Sequence, residues 1–125
     1  MKYLSGEDIL VIHSEIIDST GGAHGLRDVN LFLSIIERPK FSSGGRDMHP
    51  DVFAKAAVYL EALARYHVFV DGNKRTALAT AARFLFLNGY ELSASNEEAE
   101  NFMLRVVEEK LSSENIARWL RKNAK

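Results

Sequence analysis

His67-Val68-Phe69-Val70-Asp71-Gly72-Asn73-Lys74-Arg75-Thr76-Ala77 separates two apolar-periodic segments, Val52 to Tyr66 before it and Ala77 to Leu87 after it. Both flanks repeat apolar residues at helical spacing, so the stretch reads as a loop that leaves one helix and enters another. Asn73 suits the N-cap of the second helix, because its side chain can accept a hydrogen bond from a backbone N–H that has no intrahelical partner. Lys74 and Arg75 then fall in the first turn, where the helix dipole opposes positive charge by roughly 0.3 to 1 kcal/mol each. An anion held by the free N–H groups of the turn and by both side chains offsets that cost, as in phosphate binding at helix N-termini. Gly72, without Cβ, lets the backbone turn sharply and approach a ligand closely. The competing reading is a solvated turn with two exposed cations on long stems.

His67 and Asp71 add chemistry to the anion site. A histidine of pKa about 6.5 is in large part neutral at physiological pH and can take a proton from a hydroxyl nucleophile. Asp71, four residues on, can hold Mg2+ on phosphate oxygens or orient the nucleophile, and spacing does not separate these roles. For His67 the alternative is a side-chain cap on the last carbonyls of the preceding helix. Phe69, and less strongly Val70, reads as an anchor of the loop in the core. Arg65, two residues before His67, is a further candidate for a phosphate contact, against the alternative of an exposed arginine beside a helix C-terminus.

Working outward, nearly every segment reads as helix. Ser5 with Asp8 has the pattern of a capping box ahead of Ile9, Leu10, Ile12, Ile16 and Ile17, and Gly21-Gly22 ends that helix. Asp28 caps a second helix through Leu31, Leu33, Ile35 and Ile36, stopped by Pro39. Pro50, at a first helical position, opens a third that aligns Phe53, Ala57, Leu60 and Ala64. The motif helix runs from about Lys74 to Asn88 and closes at Gly89. Ser95 with Glu98 is a second capping box before Phe102, Met103, Val106 and Val107, and Ser113 opens a last helix through Ile116, Trp119 and Leu120. The expected fold is all-α, with about six helices. Tyr90 to Ser93 is an extended connector, and Lys40 to His49 is the longest irregular stretch, polar and glycine-bearing around Phe41 and Met48, with the character of a mobile loop.

Composition narrows the function classes. With 125 residues, 46% of them apolar, the chain can form a real core as a single domain, 1–125. Sixteen Lys and Arg against 17 Asp and Glu leave no broad basic footprint for nucleic acid. The absence of cysteine excludes disulfides and thiolate metal sites. Met1 to Asp8 lacks the pattern of a signal peptide and no apolar run reaches membrane-spanning length, so a cytoplasmic protein without membrane contact is expected. No Gly-x4-Gly-Lys-Ser/Thr run is present, which excludes an ordinary P-loop ATPase. His13, His24 and His49 are scattered without a His-Glu-x-x-His arrangement and are expected in surface or capping roles. Arg118, Arg121, Lys122 and Lys125 read as a solvated face favoured by a helix C-terminus.

The run from His67 to Ala77 resembles the signature of the Fic/Doc family, and within it the Doc branch, the death-on-curing toxins of bacterial toxin–antitoxin pairs. The Fic pattern, His-x-Phe-x-Asp/Glu-Gly-Asn-Gly-Arg-x-x-Arg, is met at His67, Phe69, Asp71, Gly72, Asn73 and Arg75. It is departed from at Lys74, where the pattern has its second glycine, and at Leu78, where it ends in arginine. The Asn-Lys-Arg-Thr-Ala version is the one Doc-like proteins carry. Gly21-Gly22 with Gly25-Leu26-Arg27-Asp28, then Leu31, Glu37, Arg38 and Pro39, is similar to the N-terminal part of Doc proteins, so the likeness covers nearly the whole chain.

The resemblance implies a compact helical bundle in which the segment around Lys40 to His49 forms a flap over the active site and docks an extended segment of a target. His67, Asp71 and Lys74 are the implied catalytic residues, and Gly72, Asn73, Lys74, Arg75 and, more weakly, Arg65 the implied phosphate ligands, with Mg2+ on Asp71. In typical Fic enzymes the glycine leaves room for the distal phosphates, and AMP is transferred. A lysine crowds that room, and in Doc-like proteins the γ-phosphate of ATP instead faces the target hydroxyl. Leu78 in place of the second arginine weakens the AMP-transfer pose in the same direction. The implied target is a threonine of translation elongation factor Tu, whose phosphorylation arrests protein synthesis and growth. Self-inhibited Fic proteins carry a Ser/Thr-x-x-x-Glu-Gly/Asn helix; Ser93 to Glu97 approaches it but is followed by Glu98, and the arginine it would engage is missing. The implied restraint is therefore an antitoxin whose C-terminal segment binds in trans. Fic-type AMP transfer and a non-catalytic helical module that only holds a regulatory anion stand as alternatives.

Overall fold

Short polar side chains start five of the six helices. Ser5, Asp28, Asp51, Ser95 and Ser112 each accept a hydrogen bond from a backbone N–H of the first turn that follows. The computed structural model, which describes residues 1–125, contains α1 (Gly6–Thr20), α2 (Val29–Glu37), α3 (Val52–Arg65), α4 (Asn73–Leu87), α5 (Asn96–Glu108) and α6 (Ser113–Lys122). The expected all-α bundle of six helices is what forms. Both capping boxes are present, Ser5 with Asp8 and Ser95 with Glu98. The Ser5 N–H and hydroxyl together hold the Asp8 carboxyl below the usual carboxylate range.

Outside the motif, three boundaries differ from the expected ones. Pro50 precedes the cap of α3, which is Asp51, so Val52 is the first helical residue. Ser112 rather than Ser113 caps α6. The chain after α2 does not stop at Pro39 but tightens into a 3₁₀ turn, Arg38–Lys40, that tolerates proline because its first residues need no intrahelical donor.

α3 lies at the centre. It packs along α4 and α6 and also touches α2 and α5. The expected stripe of Phe53, Ala57, Leu60 and Ala64 is buried, but so are Ala56, Tyr59, Ala62 and Leu63, because neighbours enclose the helix on several sides and its alanines let their backbones come close. Phe84 and Leu85 of α4, Phe102 and Val106 of α5 and Ile116 and Leu120 of α6 complete the same cluster. No helix is long and apolar enough to cross a membrane.

The stretch Lys40 to His49 is more ordered than a mobile loop. Ser42–Ser43 (β1) pairs antiparallel with Arg46–Asp47 (β2), joined by Gly44 and Gly45 at φ 58° and 78°, the two successive positive angles that a tight hairpin turn of this hand requires. Its anchor is Lys55 of α3, a buried lysine whose ammonium donates to the Asp47 carboxylate and to the Pro39 carbonyl, each at 2.7 Å. The connector after α4 is extended, as expected, and joins the C-terminus through paired hydrogen bonds between Glu91 and Lys125.

Candidate active site

α3 ends at Arg65, and the chain reverses through Tyr66 and His67. His67 has φ 49°, the left-handed conformation that usually falls to glycine one residue past a helix cap. The turn sends Val68 and Phe69 into the core and leaves His67 exposed. Its ring makes no hydrogen bond within the chain, so the alternative of a side-chain cap on α3 is not observed. Phe69 anchors the loop as expected. Val70 does not; its side chain points outward and is 51% exposed. The loop is also fixed from the segment between α1 and α2, with Arg27 donating to the Val68 carbonyl at 2.7 Å and Val70 donating to that of Gly25 at 3.0 Å.

Asn73 is not the N-cap of α4. Its side-chain oxygen accepts from the Phe69 N–H and its amide nitrogen donates to the Phe69 carbonyl, both at 3.0 Å, which closes the loop on itself. An amide that satisfies a backbone donor and acceptor together is better used there than in a single cap bond. The cap falls to Gly72, at φ 75° and ψ 21°, which has no side chain to offer. α4 is thus the one helix of six without a side-chain cap. The N–H groups of Gly72, Asn73, Lys74 and Arg75 find no acceptor in the chain, and no carboxylate stands in the first turn. Asn73 can contribute its backbone N–H to an anion, its side chain being engaged.

Lys74 and Arg75 are exposed at this terminus and neither forms an ion pair. Arg75 donates to the Thr20 hydroxyl at 3.1 Å; the Lys74 ammonium has no partner. His67, Asp71, Gly72, Asn73, Lys74 and Arg75 line one cleft of about 370 Å³ with Ala64 and Val107. A second cleft, about 420 Å³, shares Lys74 and Arg75 and adds Leu78, Met103 and Leu104, so the two cations stand on the ridge between a polar and a more apolar depression.

The Asp71 carboxylate is exposed at the edge of the first cleft. One oxygen accepts from the Ala23 N–H at 2.8 Å and the other has no partner in the chain. No cluster of three or more carboxylates and histidines surrounds it. A single free carboxylate oxygen fits a cation that brings most of its own oxygen ligands, as Mg2+ does on a nucleotide.

Arg65 does not reach the cleft's anion site, and it is not an exposed cation either. Its guanidinium donates to the carbonyls of Val106 and Leu111 and pairs with Glu61 at 3.3 Å, tying α3 to the connection between α5 and α6. His13, expected at the surface, is buried behind the motif loop, where its ring stacks on Phe69 with centroids 3.8 Å apart. The signal that could have placed it is its spacing: His13 lies four residues after Ile9 and four before Ile17, on the buried stripe of α1. His24, by contrast, is at the surface, paired with Asp18 at 2.8 Å.

The sequence model of the Fic/DOC family matches residues 3–85, a span that takes in α1 to α3, the hairpin and the motif loop. The chain is 39% identical over 118 residues to Toxin Doc of Mycolicibacterium smegmatis, covering 93% of this chain and 88% of that protein. It is 37% identical over 100 residues to Protein kinase doc of Escherichia phage P1, covering 80% of this chain and 79% of that protein. On the family match, these identities and a six-helix bundle that holds the signature on an uncapped helix, the chain belongs to the Fic/DOC family.

Proposed function

We propose that the protein is a Doc-like toxin that transfers the γ-phosphate of ATP to a hydroxyl of a protein target. The observation that carries this reading is Lys74: an unpaired ammonium beside four unsatisfied N–H groups at the start of α4, at the position where AMP-transferring Fic proteins have glycine. The names of the two relatives, a toxin and a protein kinase, support the same reading.

In this reaction the target oxygen attacks the γ-phosphorus while a ring nitrogen of His67 takes the hydroxyl proton. The bond from phosphorus to the β–γ bridging oxygen breaks, and ADP leaves. Charge developing on the phosphate oxygens is met by the N–H groups of Gly72 to Arg75 and by Lys74 and Arg75, which are in place before reaction. The cleft of Leu78, Met103 and Leu104 adjoins the two cations and offers room for the rest of the nucleotide. Asp71 would hold Mg2+ through its free oxygen, or accept from the incoming hydroxyl; when bound, the metal neutralises charge on the phosphates. By resemblance the target is a threonine of elongation factor Tu in the cytoplasm, docked at the hairpin, and the antagonist is an antitoxin whose C-terminal segment binds in trans.

Incubation with elongation factor Tu and ATP labelled at the α or the γ position tests the proposal. Label is expected from the γ position, and His67→Ala should slow its transfer by about 100-fold or more. Label from the α position would establish AMP transfer instead. Growth arrest that persists unchanged in His67→Ala would establish a binding module.

A further inference from the structure

We propose that His13, at the middle of α1, is a positioning residue that acts on transfer through Asp71. The inference rests on Asp71 taking part in the reaction, as proposed above.

The His13 ring is 4% exposed and lies among Ile9, Ile17 and Phe69, a place where an apolar side chain would pack as well. A polar ring there needs a hydrogen bond to offset its desolvation. It has one: Nε2 lies 2.8 Å from the backbone carbonyl of Asp71. A carbonyl only accepts, so Nε2 carries the proton and donates. The ring's parallel stack on Phe69, with planes 7° apart, sets the direction of that N–H, and Phe69 is itself clamped by Asn73.

Asp71 is held a second time from the same side, its carboxylate accepting from the Ala23 N–H in the turn that follows α1. Gly22 makes this approach possible. At φ 112°, a Cβ on Gly22 would stand 3.2 Å from the Asp71 Cβ and 3.5 Å from Oδ2. His13 thus fixes the backbone of Asp71 and Ala23 fixes one carboxylate oxygen, which sets the direction of the other, free oxygen. His24 stands edge-on to His13 at 6.5 Å, but its ring nitrogen is engaged with Asp18 and gives His13 no partner. The Asp71 carbonyl shares one planar peptide unit with the Gly72 N–H, so the same bond also sets the direction of the first donor of the anion site, while those of Asn73 to Arg75 are independent of His13.

His13→Phe keeps a stacking ring and removes the N–H. The expected result is a fall in kcat for phosphate transfer of about 10- to 100-fold, larger than the rise in KM for ATP, and a higher Mg2+ concentration at half-maximal rate. His13→Gln, which restores a donor, should recover part of the rate. In an Asp71→Ala background, His13→Phe should cost much less, since the carboxylate it positions is gone and only its hold on the Gly72 N–H remains. A wild-type rate in His13→Phe, or the same fold-loss in both backgrounds, would overturn the proposal. Should His13→Phe not fold, 15N spectra of the wild-type histidines decide: a proton on His13 Nε2 with coupling to the Asp71 carbonyl is expected, and an Nδ1–H tautomer would overturn it. Label transferred from the α position would overturn the γ-phosphate reading alone, and the same cycle run on AMP transfer would then test His13.

Discussion

His67 holds its left-handed backbone without being glycine, which for an L side chain costs on the order of 1–2 kcal/mol. The fold keeps an imidazole there at the expense of local stability. His67→Gly should therefore raise stability over His67→Ala by up to about 1 kcal/mol, the relief of strain less the greater backbone freedom of unfolded glycine. Both variants should lose transfer. Urea unfolding midpoints of the two compare them directly, and a glycine variant no more stable than the alanine one would refute the strain. That His67 and Asp71 fall together in one loop ahead of a helix was legible in the sequence, because their order along the motif is read without knowing the fold. The work of Asn73 was not. An Asn before a helix can cap it or staple the preceding loop, and only the folded loop shows that both backbone groups of Phe69 face it. The same holds for His13, whose partner is 58 residues away.

At the scale of elements, helix starts were legible because capping is local chemistry within four residues, and the caps of α1, α2 and α5 form as read. The hairpin was not, since strands of two residues carry no periodicity, and nothing local to Lys55 shows that the Pro39 carbonyl and Asp47 are brought over it. Lys55, with the His49 N–H, holds the Asp47 carboxyl below its ordinary value of 3.8. A depressed carboxylate pKa favours the anchored state above the ordinary value, and the contribution is lost as pH falls below it toward the folded one. Asp47→Asn should loosen the hairpin, seen at neutral pH as faster amide hydrogen exchange over residues 42–47 with α3 to α4 unchanged. Wild type should approach the variant's exchange only below about pH 4. Equal protection in the two proteins at neutral pH would show that the hairpin does not depend on Lys55.

For the whole molecule, the site is a consequence of how α3 meets α4. His67 lies just past the end of one, Gly72 caps the start of the other, and the two helices form the most extensive contact in the bundle. The proposed transfer and global folding should therefore be lost together, and Tyr59 reports on the second. Tyr59 sits in the middle of α3 with no exposure, its ring centroid 5.2 Å from that of Phe84 on α4 and its hydroxyl accepting from the Leu4 N–H at 3.4 Å. Burial pushes its phenol up to about 12, the Leu4 hydrogen bond opposing only part of the effect. A raised folded pKa contributes stability that is complete below the unfolded value of about 10 and is lost as pH rises through 12. Phenolate absorbance at 295 nm, taken as the difference between wild type and Tyr59→Phe, should thus appear near pH 12 and coincide with the loss of helical circular dichroism. A difference signal that titrates near pH 10 while helicity persists would mean that water reaches Tyr59 in the folded state, and with it the α3–α4 interface that sets the distance between His67 and the start of α4.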